Sequence, residues 1–106
     1  MKILFDHGTP VPLRRYLVEH EVATAYEEGW STLSNGRLLT TAEAAGFDIL
    51  ITTDQNLRYQ QNLQGRQIAI VVLLSTSWPL IRGKADEITI IINKVKQSSY
   101  VEIPVR

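Results

Sequence analysis

Five short runs with strand character punctuate this chain, at residues 3–5, 20–24, 47–52, 68–74 and 100–103, and turn or helix signals fill every gap between them. That alternation restricts the fold more than any other feature, because strand–helix–strand units build a parallel sheet covered by helices. Two runs carry the strongest signal. Ile49, Leu50 and Ile51 are consecutive apolar residues, and residues 68–74 are apolar and rich in β-branched side chains. Both read as strands buried on two faces. Right-handed crossovers then leave few topologies. The expected fold is α/β: one three-layer domain over residues 1–106, with a five-stranded, mainly parallel sheet in the order 2-1-3-4-5.

The connecting segments carry their own punctuation. Thr9 is a candidate N-cap, Pro10 and Pro12 suit a first helical turn, and Leu13, Tyr16 and Leu17 line one face. Residues 25–28 read as one turn closed by Gly29. Ser34 can cap a helix running to Ala45, with Gly46 as its stop. Leu38, Leu39, Ala42 and Ala45 share a face of that helix. Residues 56–63 read as a further helix. Ser77 opens a last one, in which Ile81, Ala85, Ile88, Ile92 and Val95 recur at spacings of three and four. Pro104 places the final strand at a sheet edge.

Order 2-1-3-4-5 reverses the direction of chain progress between strands one and three, and ligands bind in the crevice at such a point. Two acids occupy it. Asp6 ends the first strand and Asp54 closely follows the third. Neighbouring strands lie about 4.8 Å apart, so the two carboxylates are expected to converge. Paired acids repel unless a cation or a proton intervenes, and hard oxygen ligands suit Mg²⁺ or Mn²⁺. Each Asp also suits a cap or turn taken alone. Thr52 can orient a carboxylate, or simply end a strand. His7, beside Asp6, suits phosphate contact or proton transfer, or plain exposure. Arg58 and Tyr59 offer a cation and a stacking face for RNA, or a solvated helix face. Arg14 and Arg15 flank the same mouth. Trp30 reads as a loop anchor or a partner contact, and His20 as structural. Ser75, Thr76 and Ser77 border the crevice after strand four. Glu43 is expected to point partly outward, and Asp48 sits at the wrong end of its strand.

Eleven basic and eleven acidic residues leave no net charge. This argues against non-specific nucleic-acid binding, which rests on many phosphate contacts, and leaves self-association into a homo-oligomer unopposed by charge. No cysteine is present, which fits a reducing, cytoplasmic setting. The first apolar run breaks at Asp6, too early for a signal peptide, and no run approaches the roughly 20 residues that span a bilayer.

Most of the chain resembles the compact PIN-like domains, toxin-like relatives of the VapC ribonucleases. The resemblance rests on Ile3-Leu4-Phe5-Asp6, on Gly29-Trp30 ahead of Leu33-Ser34-Asn35-Gly36-Arg37-Leu38-Leu39, on Ala42-Glu43-Ala44-Ala45-Gly46-Phe47, and on Ile51-Thr52-Thr53-Asp54. It implies a Rossmann-like sheet and a site in which metal-activated water hydrolyses a phosphodiester of RNA. Asp6 matches the first-strand acid, and Thr52 and Asp54 match the Thr-x-Asp motif. Asn35 falls where a ligating acid is expected. RNA and an antitoxin-like protein are the implied partners.

The chain departs from that pattern where its acids are counted. His7 and Gly8 stand where the group has Glu-Asn, Arg37 replaces a common Glu, and Asn35 and Asn56 replace acids. Two carboxylates hold a divalent ion less tightly than four. The expectation is therefore a weak Mg²⁺- or Mn²⁺-dependent ribonuclease of a toxin–antitoxin type system, or a site altered around His7. The alternative is a catalytically silent module that binds an antitoxin-like partner or RNA. A phospho-receiver domain is a third reading, fitting Asp54 and Thr76 but lacking the acidic pair after strand one and the Lys after strand five.

Overall fold

The computed structural model describes residues 1–105, with Gln60 by its backbone only. One five-stranded parallel sheet runs through it: β1 (Lys2–Phe5), β2 (Glu21–Thr24), β3 (Ile49–Thr52), β4 (Ala69–Leu73) and β5 (Tyr100–Ile103), in the order β2-β1-β3-β4-β5. The expected topology is the observed one, and Pro104 indeed follows an edge strand. Pleating sends alternate residues to opposite faces. Ile3, Phe5, Ile49, Ile51, Val71 and Leu73 therefore build one core, and Leu4, Leu50, Ile70 and Val72 the other. Burial on both faces is why these strands read as unbroken apolar runs.

The helices divide between the two cores. α1 (Asn35–Ala44) packs Leu38, Leu39 and Ala42 on the Leu4 face and stops at Gly46, whose φ of +85° suits a residue without Cβ. Ser34 is its N-cap by backbone geometry alone, with no side-chain cap hydrogen bond. Trp30 packs edge-on against Phe47, ring centroids 5.8 Å apart, and so anchors its loop as one of the two readings held. Phe47 itself precedes β3 and does not extend it.

Three elements differ from expectation. The first helix is a 3₁₀ segment, Val11–Tyr16, with Leu13 N–H to Pro10 O and Leu17 N–H to Arg14 O. Pro12 sits at its second position, where the backbone N–H has no ladder partner to lose. Pro10, not Thr9, is its cap residue. The helix expected over residues 56–63 shrinks to α2 (Leu57–Gln60). Its apolar residues, Leu57 and Leu63, lie six positions apart, about 120° away from each other on a helix, so a continuous helix cannot bury both. The last helix is two: α3 (Trp78–Gly83) and α4 (Ala85–Lys94), broken at Lys84 after the poor helix former Gly83. The apolar stripe survives the break, since Ile81, Ala85, Ile88 and Ile92 are all buried in the Phe5 core.

Among the described residues, no helix is long and apolar enough to cross a membrane.

Candidate functional site

Register builds the site. Phe5 pairs with Ile51 across β1 and β3, and the Asp6 N–H donates to Ile51 O at 3.1 Å. One residue further on, Asp6 meets Thr52. The Thr52 hydroxyl, 1% exposed, donates to Asp6 Oδ2. The Thr52 Oγ1 in turn accepts the Asp54 N–H at 3.0 Å. One buried hydroxyl thus ties the strand-one acid to the backbone of the strand-three acid.

Asp6 is 9% exposed and takes two further donors on Oδ1, the Gly8 N–H at 3.1 Å and the Thr9 hydroxyl at 3.0 Å. Thr9 is buried, and its single hydroxyl hydrogen is shared between Asp6 and Ile51 O, the latter at 2.8 Å. The loop must come close for this. A Cβ on Gly8 would stand 2.6 Å from Thr53 Oγ1, so only glycine fits without movement. Gly8 and Thr9 are site residues that strand ends alone do not mark, although Asp followed two positions later by Gly is a recognisable side-chain-to-backbone turn.

Asp54 is half-buried and more open. Its Oδ1 accepts the Asn56 N–H at 2.9 Å, and its Oδ2 accepts from Asn35 Nδ2 at 3.1 Å. Asn35 is the first residue of α1, so helix and strand meet at this carboxylate. Asp6, Thr52, Asp54 and Asn35 form one connected corner at the C-terminal ends of β1 and β3.

The other candidates face elsewhere. His7 is exposed and lines a groove of about 410 Å³ between the β1 and β2 ends, which it shares with Asp6. Arg58 and Tyr59 are drawn toward the β5 edge. The Arg58 guanidinium bonds the Tyr59 hydroxyl, lies 3.7 Å from Glu102 and stands over the Tyr59 and Tyr100 rings. Burial, and then the hydrogen bond Tyr100 donates to Glu102, push the Tyr100 phenol up to about 12. Asp48 accepts the Lys2 N–H at the opposite end of the sheet, as its position required. A second groove, about 270 Å³, lies at that opposite end around Met1, Asp48 and Lys96. His20 bonds the N-terminal amine and Asn93, a structural role. Glu43 is partly exposed, as expected, and Arg66 and the Gln67 and Ile68 N–H groups hold it over the loop that enters β4.

No group of three His, Cys, Asp or Glu side chains able to hold a metal occurs among the described residues. The donors at the corner are hard oxygens nonetheless. Asp6 Oδ1 already accepts two hydrogen bonds, but Asp6 Oδ2 and both Asp54 oxygens accept one each, and the Asn35 carbonyl oxygen lies on the same side chain that meets Asp54. A Mg²⁺ ion commonly keeps several waters and takes one or two carboxylates. The set fits one such hydrated ion and is too small for a two-metal centre.

No protein-family model, curated protein or solved structure matches the chain.

Proposed function

We propose that the chain is a PIN-like module with a weak Mg²⁺- or Mn²⁺-dependent ribonuclease centre at the Asp6–Asp54 corner. The observation that carries the reading is the Thr52 hydroxyl, which serves both acids at once at the chain reversal between β1 and β3. Asp6, Asp54 and the Asn35 carbonyl oxygen would hold the ion. Bound there, it supplies an activated water and neutralises charge developing on a phosphodiester. The chain's own part is orientation. Thr52, Thr9 and the Gly8 N–H fix the Asp6 carboxylate, and Asn35 and the Asn56 N–H fix that of Asp54. His7 is the exposed side chain nearest in sequence to receive the RNA phosphate. Two carboxylates in place of four make a weak centre. RNA is the substrate, and an antitoxin-like protein is the partner this reading implies.

One observation favours a silent binding module instead: Asp6 is buried and already accepts three hydrogen bonds. A single experiment separates the two. Thermal denaturation and cleavage of single-stranded RNA are followed as Mn²⁺ is added to the wild type and to Asp54→Asn. A ribonuclease centre shows a rise in Tm and cleavage, both lost in Asp54→Asn, because a ligand bound only by the folded state stabilises it. No response at millimolar Mn²⁺ assigns the chain to the silent class.

A further inference from the structure

We propose that the groove beside Asp6 seats a nucleobase of single-stranded RNA, the base next to the phosphate held at the Asp6–Asp54 corner. This rests on the reading of the chain as an RNA-acting module and adds the place where the strand is read. The groove, about 410 Å³, runs between the turn after β1 and the turn after β2. Asp6 is part of its wall, so a ligand lying in it reaches the acidic corner without leaving the surface.

The lining is suited to an aromatic heterocycle. Tyr26 is 80% exposed and Val11 52% exposed, and both contribute to the groove. A tyrosine ring left in water beside an apolar neighbour is a stacking platform, and every base has a face to stack. The polar part of the wall is an ion pair. Arg14 donates through both terminal nitrogens to the two Glu27 oxygens. Glu27 is fixed in turn by the Thr24 N–H at 2.9 Å, while its own N–H donates to Thr24 Oγ1 at 3.0 Å. The pair therefore presents a donor and an acceptor in one held orientation. A plain apolar side chain in the groove would cover that pair and give it nothing. A base edge carries both donors and acceptors and meets it.

The test is a titration of ¹⁵N-labelled protein, free of divalent ions, with AMP, CMP, GMP or UMP, and with ribose 5-phosphate as the control. Nucleotides should move the amide signals of His7, Thr9, Thr24, Tyr26 and Glu27, and ribose 5-phosphate should not. Tyr26→Ala should weaken nucleotide binding about tenfold and Tyr26→Phe should retain it. Tyr26 is too exposed for either change to threaten folding. Equal shifts with ribose 5-phosphate, shifts centred elsewhere, no shifts at tens of millimolar nucleotide, or an unaffected Tyr26→Ala would each overturn the seat. Failure of the parent reading looks different. Nucleotide shifts in the groove without Mn²⁺-dependent cleavage remove the ribonuclease and leave the seat. Cleavage undiminished by Tyr26→Ala removes the seat and leaves the ribonuclease.

Discussion

Thr52 gives its hydroxyl hydrogen to the Asp6 carboxylate on the neighbouring strand, and its oxygen receives the Asp54 N–H at 3.0 Å. Both contacts lie at the C-terminal end of the sheet, directly after the apolar pair Phe5 and Ile51. Thr52→Val keeps the shape and removes both. The buried carboxylate loses a donor and the Asp54 amide loses its acceptor. Urea denaturation should show a loss of about 1.5–3 kcal/mol, the usual range for a hydrogen bond to a charged group. Thr52→Ser keeps the hydroxyl and drops one methyl, so it should cost nearer 1 kcal/mol. Equal losses for the two variants would mean that the methyl, and not the hydroxyl, is what the site uses.

Asn35 and Asp54 offer a charge test. Asn35→Asp exchanges a donor for a like charge 3.1 Å from Asp54 Oδ2, partly offset by the favourable position of an acid at the start of α1. Metal-free stability should fall by roughly 1–2 kcal/mol. Mn²⁺ should recover that loss and stabilise Asn35→Asp/Asn56→Asp more than the wild type. If added Mn²⁺ lifts the Tm of the double variant no further than that of the parent, the corner is not a cation site.

Glu43 predicts a pH dependence. Burial pushes its carboxyl up, but the Arg66 hydrogen bond, the Gln67 and Ile68 N–H groups and the Arg66 charge outweigh burial and hold it below its ordinary 4.5. A group depressed in the folded state adds stability that is complete above its unfolded value and is lost as pH falls through the folded one. Glu43→Gln should therefore be less stable than the wild type at neutral pH, by about 1 kcal/mol for a pair mostly shielded from water. The gap should close as the pH drops below about 4.5. Denaturant midpoints measured across that window decide it, and a gap that widens in acid would show that the Arg66 contact does not hold the carboxylate ionised.

Ile88 and Ile92 are fully buried in the Phe5 core from α4. Either one changed to Ala should cost roughly 2–5 kcal/mol in an equilibrium unfolding measurement. A loss below about half a kcal/mol would mean that α4 does not pack as described.

The parallel sheet and its order were legible in the sequence because two-sided burial writes itself as unbroken apolar runs, and because crossover handedness excludes most other arrangements. The stripe of Ile81, Ala85, Ile88 and Ile92 was legible for a similar reason: periodicity records which side of a helix meets the core. Asp6, Thr52, Asp54 and Asn35 were legible as positions, since strand ends and a helix start can be counted along the chain. What joins them was not. Whether Thr52 would face the acids, whether Glu43 would turn toward Arg66, and whether Arg58 would leave the crevice for Glu102 and Tyr100 depended on partners far away in sequence. The break at Lys84 and the short α2 had local causes instead, the poor helix former Gly83 and the six-residue spacing of Leu57 and Leu63. Local sequence determined which stretches bury their side chains. Only the tertiary structure decided which polar groups meet, because a hydrogen bond needs both partners placed within a few tenths of an ångström, and no spacing along one chain sets that distance.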